Sequence, residues 1–166
     1  MKVAIIGTTK IAEIHVREFI QNKCKEITVI SRYESKSIKL INKFKHNQKV
    51  KFFYSNIKIL KKKKFDLIDI CSNTNFHLYH LNLIPKFNGI ILVEKPIFSV
   101  IKYKKNFLDI LDKMYRKHKK IYVCYPMTYF ARTLLKLKLL NFKNIKKFKV
   151  NYHTSGRHFY NQIGLD

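Results

Sequence analysis

The stretch Val93-Glu94-Lys95-Pro96 sets a carboxylate beside an ammonium at the end of the apolar run Ile90 to Val93. β-Branched residues and leucine suit a buried strand, and charges at the end of one need a partner or a task. A lysine at the mouth of a cleft can donate a hydrogen bond to a substrate oxygen or exchange a proton with it. Glu94 could orient or tune it, and Pro96 fixes the turn that follows. Taken alone, the tripeptide reads equally well as strand punctuation.

Three more stretches carry chemistry. "GTTKIA", Gly7 to Ala12, follows an apolar run and opens a helical pattern. It matches G-x-G-x-x-A except that Thr9 stands at the second glycine. In that motif the first glycine makes a tight turn and the helix N-terminus holds a pyrophosphate. The Cβ of Thr9 narrows the approach of a phosphate, and its hydroxyl offers a hydrogen bond in exchange. Ser31-Arg32 ends the second apolar run, where an acidic residue would hold the ribose hydroxyls of NAD. A hydroxyl and a guanidinium suit a 2′-phosphate instead, which tips the expected cofactor from NAD to NADP; an arginine facing solvent after a strand would look the same. "CSNTNFHLYH" follows the fourth run. Ser72, Asn73, Thr74 and Asn75 suit a ligand-facing loop or plain helix capping. His77 and His80 stand three apart on a helix without a third ligand nearby in sequence, so no metal site is expected.

The elements that must position these residues alternate. A buried strand is expected at "KVAIIG", and further strands at "EITVIS", "VKFFYS", "FDLIDICS", "GIILVE" and "KIYVCYP". Helices are expected at 11–22, over "SKSIKLINKFKHN" with Ile38, Ile41 and Phe44 on one face, at 76–87 and at 100–117. The lysine run Lys61 to Lys64 reads as a solvated helix end. Continuous apolar strands separated by helices imply a parallel sheet covered on both faces, a doubly wound α/β domain over 1–125. After Pro126 the rhythm changes. "TYFARTLLKLKLLN" looks helical and "IKKFKVNYHTSG" looks like a longer strand, as though 126–166 began a second, α+β domain. A lone strand needs neighbours, so an oligomer or a complementing partner is expected there.

The formal net charge is +25, and arginine stands only at 17, 32, 116, 132 and 157, the rest of the 35 basic residues being lysine. A dedicated nucleic-acid binder would use arginine for bidentate contacts. The charge is read as a solvated surface that favours anionic ligands; salt-sensitive, sequence-independent binding would mark the nucleic-acid alternative. Cys24, Cys71 and Cys124 form no CxxC pair, which argues against a disulfide framework or a zinc site. No apolar run reaches membrane-spanning length, and a cytoplasmic protein with no membrane partner is expected.

Taken in order, "VAIIGTTKIAEIH", "DICSNTNFH", "ILVEKP" and "CYPMTYFA" resemble the Gfo/Idh/MocA oxidoreductase family over nearly the whole chain. The resemblance implies a Rossmann domain followed by an α/β domain with a large open sheet. It implies hydride transfer between a nicotinamide and a sugar, polyol or related carbonyl compound, a nucleotide sugar included. By position, Lys95 is the implied catalytic lysine, with Glu94 and Pro96 holding it beside the nicotinamide. Gly7, Thr8, Thr9, Lys10 and Ile11 would line the pyrophosphate and Ser31 and Arg32 the adenosine ribose. Ser72, Asn73, Asn75 and His77 fall on the segment that approaches the cofactor. Members of that family run much longer than 166 residues, and their later half carries most of the substrate pocket. His153 and His158 do not sit in that half's catalytic motif and take no role from it. A cofactor-binding module without turnover of its own is the alternative.

Overall fold

The computed structural model describes residues 1–98, 106–118 and 120–125. Six parallel strands form one sheet: β1 (Lys2–Ile6), β2 (Glu26–Ile30), β3 (Lys51–Ser55), β4 (Leu67–Ile70), β5 (Ile90–Glu94) and β6 (Ile121–Cys124). Their spatial order is β3-β2-β1-β4-β5-β6. β1 therefore lies between β2 and β4, with Ile5 level with Val29 on one side and Asp69 on the other. That reversal of strand order opens a crevice at the strand C-termini.

Side chains alternate across a strand, and the two faces build two cores. Val3, Ile5, Ile27 and Val29 pack with Ala12 and Val16 of α1 (Lys10–Gln21) and with Leu40 and Ile41 of α2 (Glu34–Asn42). Ala4, Ile6, Ile68, Ile70, Ile91 and Val93 pack with Leu81 of α3 (His77–Leu83) and Met114 of α4 (Phe107–Lys117). Each fully buried aliphatic side chain contributes about 1.5–3 kcal/mol, so the inner strands hold the sheet. At the β3 edge Phe53 is exposed, and the Lys63 ammonium sits 4.3 Å from its ring centre while pairing with Glu26 at 2.8 Å. A lysine over an edge strand discourages pairing with another chain.

Two expected boundaries move. α2 stops at Asn42, and Phe44 reaches the core from the turn after it. The lysine run begins at the end of a 3₁₀ helix, Ile57–Lys61, as the solvated helix end expected there. α3 ends at Leu83 because Ile84 is extended before Pro85, as proline requires of the residue preceding it. The first part of the expected 100–117 helix lies outside the described residues, as do both elements expected after Pro126 and His153 and His158. Among the described residues no helix is long and apolar enough to cross a membrane.

Candidate functional site

The turn from β1 into α1 is shaped by Gly7, whose φ is +116° and whose N–H bonds the Ile30 carbonyl at 2.9 Å. A Cβ here would lie 2.7–2.8 Å from the Ser72 nitrogen and the Cys71 carbonyl group. Glycine is thus required by the approach of the β4 end. Thr9 caps α1: its hydroxyl accepts from the Ala12 N–H at 3.3 Å and donates to the Cys71 carbonyl at 2.7 Å. The expected hydroxyl donation to a phosphate does not hold, because the proton is committed to Cys71. The first intrahelical bond runs from the Glu13 N–H to the Thr9 carbonyl. The N–H groups of Lys10 and Ile11 precede it, and such first-turn donors favour an anion.

A cleft of about 790 Å³ runs over the ends of β2, β1 and β4. Gly7, Thr8, Thr9, Ser31, Arg32, Ser72 and Asn73 line it, so the loops read from sequence converge. A recess of about 420 Å³ adjoins it between α1 and α2, carrying Lys10, Lys36, Lys39 and Lys43. Sequence reasoning missed the cleft's other wall, Phe76 and Tyr79, whose rings lie against His80 at 6.2 and 5.4 Å. Their signal was available: two large aromatics on the polar side of a helix at the strand ends. Burial, and then the neighbouring His77, push His80 down to about 4. Its Nδ1 lies 2.9 Å from the Ser72 hydroxyl.

Several predicted site residues hold the frame. Ser31 donates to the Tyr33 carbonyl and accepts from Ser37 at 3.0 Å. Its proton is spent inside the turn. The Arg32 guanidinium and the Lys36 ammonium both lie over the Tyr33 ring, 5.6 and 5.1 Å from its centre, an arrangement that gathers two cations at the cleft rim. His77 does not line the cleft. It is 1% exposed, with Nδ1 2.9 Å from the Pro96 carbonyl and Nε2 2.7 Å from the Ser72 carbonyl. It clasps the β4 loop to the turn after β5. Ile11 packs on the core beneath α1, and Asn75 accompanies Asn73 in a local turn bond.

Glu94 and Lys95 stand at the C-terminal end of β5, next to β4, and the Lys95–Pro96 peptide is cis. Beneath them lies a cluster the local sequence patterns did not reveal. Asp69, in the middle of the sheet, is 0% exposed and its Oδ2 is 2.8 Å from His15 Nδ1 on α1. The other ring nitrogen of His15 is 3.3 Å from Glu94 Oε1. Burial alone would lower the His15 pKa; hydrogen bonds to Asp69 and then Glu94 reverse this and raise it to about 10. Burial pushes the Glu94 carboxyl up, but the His15 hydrogen bond and charge, the Lys95 backbone N–H and the Cys124 thiol bring it below its ordinary value. Ligating atoms of His15, Asp69 and Cys71, and of His15, Glu94 and Cys124, lie within 4.8 Å of one another. The 2.8 Å separation of His15 Nδ1 and Asp69 Oδ2 is that of a hydrogen bond between them. The signal in sequence was Asp69 itself, a carboxylate inside an apolar strand that had to find a donor.

The family profile described as an oxidoreductase family with an NAD-binding Rossmann fold, Gfo/Idh/MocA, matches residues 1–128. Among curated proteins no sequence matches. A Gfo/Idh/MocA family oxidoreductase from Vibrio cholerae superimposes with a TM-score of 0.61 at 17% identity, over 83% of this chain and 44% of that one. Scyllo-inositol dehydrogenase from Lactobacillus casei, solved with NAD(H) and scyllo-inositol, gives 0.55 at 16% identity, over 84% and 42%. Biliverdin reductase from Synechocystis, solved with biliverdin and NADP+, gives 0.55 at 14% identity, over 74% and 37%. The chain thus spans less than half the length of these proteins.

Proposed function

The chain belongs to the Gfo/Idh/MocA oxidoreductase family, and from that premise we propose that it binds a nicotinamide dinucleotide across the ends of β2, β1 and β4 and serves hydride transfer to or from a sugar, polyol or nucleotide-sugar-like substrate. The observation that carries this is one cleft joining the α1 N-terminus, the Arg32 turn and the aromatic wall of Phe76 and Tyr79, with Lys95 on the neighbouring strand end. The residues suit the group: N–H groups of Lys10 and Ile11 for the pyrophosphate, apolar rings for flat heterocycles, and cations at the rim.

The nicotinamide, when bound, supplies or accepts the hydride. Lys95 is then the group that hydrogen-bonds the reacting oxygen of the substrate and exchanges a proton with it. Glu94 holds the strand end that presents Lys95. Arg32 and Lys36, gathered over Tyr33, favour the extra 2′-phosphate of NADP over the bare ribose of NAD. Residues 126–166 are proposed as the start of a second, substrate and oligomerisation domain, with an oligomer or complementing partner through it.

The test is calorimetric titration of the folded chain with NADPH and with NADH, beside Lys95→Ala and Arg32→Ala. Saturable binding, tighter for NADPH, with the preference reduced in Arg32→Ala and affinity retained in Lys95→Ala, is expected. Where the wild type turns substrate over, Lys95→Ala is expected to lower turnover by about 10²–10⁴-fold. Cofactor binding without turnover by the wild type would support the module reading. Failure of a folded chain to bind either cofactor would overturn both.

A further inference from the structure

We infer that His15 is a positioning residue for Lys95: held between Asp69 and Glu94, it fixes the Glu94 carboxylate against the backbone N–H of Lys95 and so sets the strand end that presents the lysine. The role of Lys95 is that of the preceding reading; the geometry of the relay stands independently of it.

The chain of contacts starts in the core. The carboxylate of Asp69 is fully buried in β4, which is costly unless a charged donor meets it. His15 meets it at 2.8 Å and turns its other nitrogen to Glu94 at 3.3 Å. An imidazole with a carboxylate at each nitrogen carries a proton on both, since a neutral ring would place one lone pair against an anion. Glu94 meets His15 Nε2 at 3.3 Å, and the Lys95 backbone N–H and the Cys124 thiol also favour its charged form. One of these groups belongs to the backbone that carries the lysine. His15 lies on the same helix whose first turn faces the cleft, so α1 serves the dinucleotide at one end and the β5 end along its length.

The groups facing His15 from the packed elements are Asp69 of β4, Cys71 directly after it and Glu94 of β5, with Cys124 of β6 beside Glu94. Phe19 offers only a ring edge at 6.5 Å. Burial and then Asp69 push the Cys71 thiol up, and burial and then Glu94 push Cys124 up to about 12. Both stay thiols near neutrality, so the two carboxylates are the charges His15 answers. Without an imidazolium they would face each other across a largely buried gap, and the β5 end would have to move.

The experiment is nuclear magnetic resonance of the ¹³C,¹⁵N-labelled chain. It follows the His15 ring nitrogens through their carbon-bound protons and the Glu94 carbonyl–residue 95 nitrogen correlation by carbon detection. Lys95→Met serves as background, so that the lysine's own titration does not contribute. The expected result is a doubly protonated His15 ring at pH 8 and a shift of the residue 95 nitrogen with the same midpoint as the ring. Asp69→Asn is expected to lower both midpoints together by at least one pH unit. Deprotonation of His15 near pH 6.5 without the Asp69 change would overturn the inference, as would a residue 95 nitrogen that ignores the His15 midpoint. If Asp69→Asn does not fold, the shared midpoint in the Lys95→Met background decides alone. No cofactor is needed, so absence of dinucleotide binding and absence of the relay are separate results.

Discussion

Replacing Gly7 with alanine puts a methyl group where the β1–α1 turn meets the end of β4. The backbone there has φ +116°, a region that residues with a Cβ rarely occupy, and holding one there costs about 1–3 kcal/mol. The new Cβ would also stand 2.7 Å from the Ser72 nitrogen and 2.8 Å from the Cys71 carbonyl carbon and oxygen. These are backbone atoms and cannot swing aside, so the turn must lift away. Lifting it strains two bonds of 2.9 Å, Gly7 N–H to Ile30 and Cys71 N–H to Ile6, each worth about 1 kcal/mol. The combined loss is about 3–5 kcal/mol. At a urea slope of about 2 kcal/mol/M the denaturation midpoint should fall by about 2 M. Equilibrium unfolding followed by circular dichroism measures this, with the slope showing whether the unfolding remains two-state. A midpoint within 0.3 M of the wild type would refute the reasoning, because neither the strain nor the collision would then exist.

The remaining expectations concern charge and the cleft wall. His15 is held above its unfolded value near 6.5, so its protonation stabilises the fold fully below that pH, and the gain is lost as pH rises through about 10; the deficit of Asp69→Asn in urea should therefore be largest near pH 6 and shrink towards pH 10. His80 behaves with the opposite sign: its half-buried neutral ring contributes nothing to pH dependence above 6.5, and stability drains as pH falls from there towards 4. His80→Gln should flatten that acid limb, and the wild-type ring should titrate near 4 by magnetic resonance. Phe76 and Tyr79 are more than half exposed, so Phe76→Ala and Tyr79→Ala should leave the urea midpoint nearly unchanged while weakening dinucleotide binding several-fold in calorimetry.

Much of this protein is written locally. An apolar run such as Val3 to Ile6 specifies a strand buried on both faces, since nothing else covers four consecutive apolar residues so economically. The order of runs then leaves few topologies once crossovers are right-handed. Gly7, Arg32 and Lys95 could be placed at strand ends for the same reason: each follows a run whose C-terminus a doubly wound sheet gathers on one edge. What each side chain does there was not legible. His77 reads as a cleft residue from its helix, yet its two carbonyl partners come from two different loops. Ser31 reads as a donor to a ligand until the turn shows its proton bonded to Tyr33. The His15–Asp69–Glu94 cluster joins α1 to β4 and β5 across sequence separations that no periodicity spans. By itself the sequence determined where the strands lie, because an apolar run is a local property, but not that β3 stands exposed at the sheet edge. Only the tertiary structure decided which buried polar group meets which, because that depends on strand order and register, which bring His15, Asp69 and Glu94 to a single point inside the sheet face.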